Sequence, residues 1–127
     1  MRTVLVIDDD PAFLRETEKM LTEAGYSVLQ APDGNHAVKI LDDLQGKIDL
    51  AIVDLALPGI NGFELIGALT RRPSPIKVIA TSGVFHEMQL ESATALGAHA
   101  AIRKPGNPKS LPKQQWLGTV KQLIGEP

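Results

Sequence analysis

The stretch VLVIDDDP, Val4 to Pro11, sets four aliphatic side chains in a row directly against three consecutive carboxylates. An aliphatic run of that kind suits a strand buried on both faces, whereas adjacent acids belong where a chain leaves the core. Asp10, followed by Pro11, reads as the N-cap of a helix, with the proline at the first helical position, where a missing N–H costs nothing. The opening unit is therefore a buried strand, an acidic end and a helix.

The rest of the chain repeats that unit. After a strand at Thr3–Ile7, Leu14, Thr17, Leu21 and Ala24 recur at helical spacing and stop at Gly25. Tyr26–Gln30 reads as a second strand, and Pro32-Asp33-Gly34 turns into a helix striped by Ala37, Ile40, Leu41 and Leu44 that ends at Gly46. Leu50–Val53, apolar throughout, is a third strand with a central character, ending on Asp54. A turn at Leu57-Pro58-Gly59 precedes a short helix, Phe63–Leu69, and a loop at Arg71–Pro75. Ile76–Ala80 is the fourth strand, ending on Thr81-Ser82-Gly83, and a helix from Met88 to Leu96 stops at Gly97. Ala100–Arg103 is a weak fifth strand ending at Lys104; beyond Pro105, Pro108 and Pro112, a last helix carries Trp116, Leu117, Val120, Leu123 and Ile124. Five strands alternating with five helices predict an α/β fold with a parallel sheet.

At 127 residues the chain is the size of one domain, and 43% hydrophobic with 22% charged residues is an ordinary globular balance. No apolar stretch approaches the roughly 20 residues of a bilayer span and no signal peptide is visible, so a cytoplasmic location without membrane attachment is expected. The absence of cysteine excludes disulfides and thiolate metal sites. A net charge of −2, with basic residues spread along the chain, argues against direct nucleic-acid binding.

Functional groups of an open parallel sheet collect outside the carboxyl ends of its strands. Asp8, Asp9 and Asp54 would converge there, and three carboxylates in one pocket require a cation or a proton. Hard oxygen ligands favour Mg²⁺. Ser82 and Lys104 would add a hydroxyl and an ammonium, an assembly suited to a phosphoryl group. Thr81 competes with Ser82, since strand alternation sends the two to opposite faces. His36, His86 and His99 lack ligand spacing, and Trp116 lies on an apolar stripe, as a core or interface residue would.

VLVIDDDP at Val4–Pro11, DLALPGINGFEL at Asp54–Leu65, Ser82-Gly83 and Lys104-Pro105 together strongly resemble the receiver domain of bacterial two-component response regulators. The resemblance implies a doubly wound, flavodoxin-like (βα)5 fold with strand order 2-1-3-4-5. It implies that Asp54 accepts a phosphoryl group from a histidine kinase or histidine phosphotransfer protein. Asp9 would bind Mg²⁺ directly and Asp8 largely through water, with Asp54 and the carbonyl of Ala56 as further ligands, while Ser82 and Lys104 would receive the phosphoryl oxygens. It also implies a cis peptide at Lys104-Pro105. On this reading residues 1–127 are a single receiver domain without an output domain, a switch rather than a turnover enzyme, acting through a downstream protein partner.

Three departures stand out. Receivers usually carry Tyr or Phe three residues before the lysine, where this chain has Ala101, so its switch must work differently. Gly106 replaces a common Phe, and the proline-rich segment Gly106–Lys113 is expected to shape partner docking. Ala56 and Val84 cannot orient a hydrolytic water, which predicts slow self-dephosphorylation. Two other readings compete. Haloacid-dehalogenase-type phosphatases share a strand-one aspartate, and Asp8 and Asp10 have their Asp-x-Asp spacing, but the acidic pair expected after the lysine is missing, Glu126 being the sole acid there. A receiver-fold binding module that is never phosphorylated is the other.

Overall fold

Within β1, Thr3–Ile7, side chains alternate between two faces: Val4 and Val6 pack on one side, Leu5 and Ile7 on the other, and all four are fully buried. A strand without a solvent face must have neighbours on both edges and helices on both sides. The computed structural model, which describes residues 1–44, 46–57, 59–72, 76–83 and 92–127, has that arrangement. With β2 (Ser27–Ala31), β3 (Leu50–Asp54), β4 (Lys77–Ser82) and β5 (Ala100–Arg103), β1 forms one parallel sheet in the order β2-β1-β3-β4-β5. This is the strand order expected for a flavodoxin-like receiver, and β3, buried at every residue, lies at its centre.

The helices divide by face. On one side α2 (Gly34–Asp43) and α3 (Gly62–Thr70) cover Leu5, Ile7, Ala51, Val53, Val78 and Ala80. On the other, α1 (Pro11–Glu23) and α5 (Lys113–Ile124) cover Val4, Val6, Leu50, Ile52, Ile79 and Ile102. Residues 92–95 are helical and belong to α4, with Ala93 in the first of these cores. No helix among the described residues is long and apolar enough to cross a membrane.

Local chemistry sets the helix ends. Asp10 accepts a hydrogen bond from the Ala12 amide at 3.0 Å, capping α1 with Pro11 in its first turn, and Gly25, at φ +104°, ends it. Asp33 and Asn61 cap α2 and α3 by accepting from the amides of His36 and Glu64. The segment after β5 contains a 3₁₀ turn, Pro108–Ser110, capped by Asn107.

Some boundaries differ from the sequence expectation. β2 lies one residue later at both ends, because the Tyr26 amide closes the end of α1 by donating to the Leu21 carbonyl at 3.0 Å, and the ladder runs on to Ala31. β4 runs on to Ser82, because Thr81 pairs with Asp54 and Ser82 with Arg103. The Lys104–Pro105 peptide is trans, where the resemblance implied cis. An X–Pro bond prefers trans by about 0.5–1 kcal/mol, and the Lys104 ammonium reaches its carboxylates from that isomer. Expectations for Pro58, Pro73–Pro75, Val84, His86 and the start of a helix at Met88 fall outside the described residues.

Candidate functional site

The sheet brings the carboxyl ends of β1, β3, β4 and β5 to one edge, and the candidate residues meet there. Asp8 directly follows β1, and its amide extends the ladder by donating to the Ala31 carbonyl at 3.1 Å. Asp54 is the last residue of β3, Ser82 the last of β4, and the Lys104 amide donates to the Ser82 carbonyl at 2.9 Å. Each functional side chain is thus fixed by backbone pairing, which gives more positional precision than a loop would.

Carboxylate oxygens of Asp8, Asp9 and Asp54 lie within 4.8 Å of one another. Asp8 is fully buried and Asp54 nearly so, while Asp9 faces solvent. Lys104 Nζ sits 2.8 Å from Asp8 Oδ2 and 3.5 Å from Asp54 Oδ2. The amide of Asp10 donates to Asp8 Oδ1 at 2.9 Å, and that of Ala56 to Asp54 Oδ1 at 3.0 Å. These bonds aim both carboxylates but leave three acids facing one ammonium.

Burial raises the Asp8 carboxyl to about 6 and the nearby Asp54 charge adds to this, against the opposing pull of Lys104 and the Asp10 amide. For Lys104, burial pulls the ammonium down, but the hydrogen bond and charge of Asp8, helped by Asp54, outweigh it and hold the group above its ordinary value. The donor set is all oxygen, partly open through Asp9, and short of positive charge, which fits a hard divalent cation.

The two hydroxyls at the end of β4 have separate environments. Thr81 Oγ1 donates to the Val53 carbonyl within the core at 3.4 Å, and alternation turns buried Ser82 to the other face. Asp10 caps α1 with its Oδ1 and lies outside the group formed by Asp8, Asp9 and Asp54. Among the histidines, His36 bonds Asp33 at 2.8 Å, and His99 Nδ1 accepts from the Val78 amide at 3.1 Å; both serve local structure. Trp116 is fully buried on α5.

Two residues of the site escaped the sequence reading. The Phe13 ring centroid lies 5.0 Å from Lys104 Nζ, a contact between α1 and the residue after β5 that no motif announces. Gly62, the first residue of α3, lies against the end of β3: a Cβ there would collide with the Asp54 carbonyl and come within 2.6 Å of Leu55 Cα. Its signal was the glycine in the Asn61-Gly62 pair at the start of a helical pattern, where small size rather than turn formation is needed.

Comparison with known proteins adds a family to this geometry. Residues 4–114 match the model of the response regulator receiver domain. Response regulator GtcR of Aneurinibacillus migulanus is 33% identical over 107 residues, which are 84% of this chain and 43% of that protein. Sensor kinase CckA of Brucella abortus is 30% identical over 122 residues, 96% of this chain and 12% of the kinase. The chain thus spans less than half the length of either relative. A CheY-like receiver domain protein from Methanospirillum hungatei has a crystal structure that superposes with a TM-score of 0.83 at 27% identity, covering 98% of this chain and 94% of that one. A response regulator from Thermotoga maritima gives 0.83 at 25% identity, with 99% of each chain covered.

Proposed function

The chain belongs to the response regulator receiver domain family, and from that premise we propose that it is a phosphorylation-switched signalling protein whose Asp54 accepts a phosphoryl group. The observation that carries this reading is the placement of Asp54 at the end of β3, its Oδ1 held by the Ala56 amide and its Oδ2 facing Lys104 inside a group of acids. The donor would be the phosphohistidine of a histidine kinase or histidine phosphotransfer protein. A carboxylate oxygen of Asp54 forms the new bond to phosphorus as the phosphorus–nitrogen bond breaks and the imidazole leaves with its electron pair. Ser82 and Lys104 receive the phosphoryl oxygens, the hydroxyl by a hydrogen bond and the ammonium by charge.

Asp9 and Asp54 would hold Mg²⁺ directly, with the Ala56 carbonyl, and Asp8 through water. The ion supplies neutralisation of charge on the transferring group. Asp8, fully buried, orients the partly buried Lys104 through the 2.8 Å ion pair. Ala56 offers no side-chain group to orient a hydrolytic water, so the acylphosphate is long-lived and signals to a downstream protein partner.

Phosphotransfer from a small acyl-phosphate donor or a candidate kinase, with Mg²⁺ present, tests this reading by intact mass. The wild-type chain gains a phosphoryl group and Asp54→Asn does not. Uptake by the Asn variant, or a label on Asp8, would overturn it, the latter in favour of phosphatase chemistry.

A further inference from the structure

The Lys104 ammonium has a third neighbour besides its two carboxylates. It lies 5.0 Å from the ring centroid of Phe13, whose quadrupole attracts a cation over its face. The Phe13 ring is buried and in turn meets Trp116 edge-on, at 6.0 Å between centroids and 61° between planes. Asp54, Lys104, Phe13 and Trp116 therefore form one continuous chain of contacts from the carboxylate to α5.

The far end of that chain is loosely tied by polar bonds. Trp116 is fully buried, yet its indole N–H has no acceptor, and the buried hydroxyl of Thr17 on α1 is also unpaired. Helix α5 has no side-chain cap at its start, while near its end the Tyr26 hydroxyl holds the Gly125 carbonyl at 2.7 Å. A cleft of about 310 Å³, with Met20 and Leu111 among its lining residues, separates α1 from the entry to α5. The helix is thus pinned near its last residue and unrestrained by any cap at its first. Ala101 packs against the opposite core.

We propose that Phe13 is a positioning residue for Lys104, and that the Phe13–Trp116 pair carries the charge state of Asp54 to the first half of α5, the task for which position 101 lacks an aromatic ring. The proposal rests on the reading of Asp54 as phosphoacceptor. A phosphoryl group adds negative charge at Asp54 and draws the ammonium away from Asp8, changing its seat over the ring. In a close-packed layer the ring passes that displacement to the indole. Because the indole N–H breaks no hydrogen bond by moving, α5 pivots about its pinned end.

Trp116 is the single tryptophan of the chain, so its emission reports this layer alone. In the unphosphorylated protein, Lys104→Met shifts that emission in the parent background, and the shift disappears in Phe13→Leu. A merely structural Phe13 would leave the two changes additive, and equal shifts in both backgrounds overturn the coupling. Phe13→Met, which keeps apolar bulk without a ring, repeats the measurement should the leucine pack poorly. With acetyl phosphate and Mg²⁺, intact mass gives the phosphoryl occupancy. The emission change per bound phosphoryl group is present in the parent and lost in Phe13→Leu. A parent that is phosphorylated without an emission change, or a variant that keeps the full change, overturns the proposal. A parent that takes up no phosphoryl group overturns the receiver reading instead, and the Lys104→Met comparison still decides the coupling.

Discussion

The two ends of the sheet treat their acids differently. At the amino ends of the strands, Asp49 accepts a hydrogen bond from the Thr3 amide at 2.8 Å and lies 3.7 Å from Arg2, so one acid meets one backbone donor and one exposed cation. At the carboxyl ends three acids share Lys104, and the most buried of them, Asp8, has its carboxyl raised to about 6. The first acid is satisfied by the fold. The second group is stabilised only in part, and an under-neutralised cluster of oxygen donors on rigid strand ends suits an outside cation.

The contrast can be tested at its foundation first. Gly62→Ala puts a methyl group against the backbone of Asp54 and Leu55, and the collision is with main chain rather than a side-chain tip. A loss of about 2–3 kcal/mol in urea denaturation, together with slower phosphoryl uptake, is expected, despite the higher helix propensity of alanine. Unchanged stability would mean that α3 can slide off the sheet at little cost.

A middle-sized effect belongs to Asp8. Its proton is held more tightly in the folded chain than in the unfolded one, so the metal-free fold is favoured below the unfolded value near 3.9 and loses that advantage as pH rises through about 6. The difference corresponds to at most about 3 kcal/mol, and Asp8→Asn removes it, flattening the stability profile between about pH 4 and pH 7. Over the same interval Mg²⁺ affinity falls on acidification, because proton and cation compete for the same cluster; calorimetric titration at several pH values checks it. An affinity independent of pH would show that Asp8 takes no part.

The smallest effect is expected from Asp49→Asn. An amide oxygen can still accept from Thr3 while the exposed ion pair is lost, at a cost of about 0.5–1 kcal/mol, with Mg²⁺ affinity and phosphoryl uptake unchanged. A large change in either activity would break the separation between the two ends.

Much of this was legible in the sequence because the fold rests on local signals. The apolar runs at Val4–Ile7 and Leu50–Val53 could be buried only between neighbours, Asp10-Pro11 marks a helix start, and Asp54 ends one strand while Lys104 directly follows another. Strand ends were less legible, since Thr81 and Ser82 join β4 only through their partners Asp54 and Arg103, far along the chain. Phe13 carries no periodic or motif signal for its role, which depends on where Lys104 lands, and the Asn61-Gly62 pair marks a helix start without showing how closely α3 approaches β3.

Helix α5, held at its last turn by the Tyr26–Gly125 bond and at its start by no cap, also bears on how the molecule opens. It is seated by Trp116 and Val120, with Leu117, Leu123 and Ile124 packed against the edge of the same core, whereas β3 is paired on both edges and buried at every residue. In hydrogen-exchange terms the expected outcome is lower protection for α5 than for the central strands. On that expectation, exchange at the last helix would precede exchange at β3, the strand that ends on Asp54.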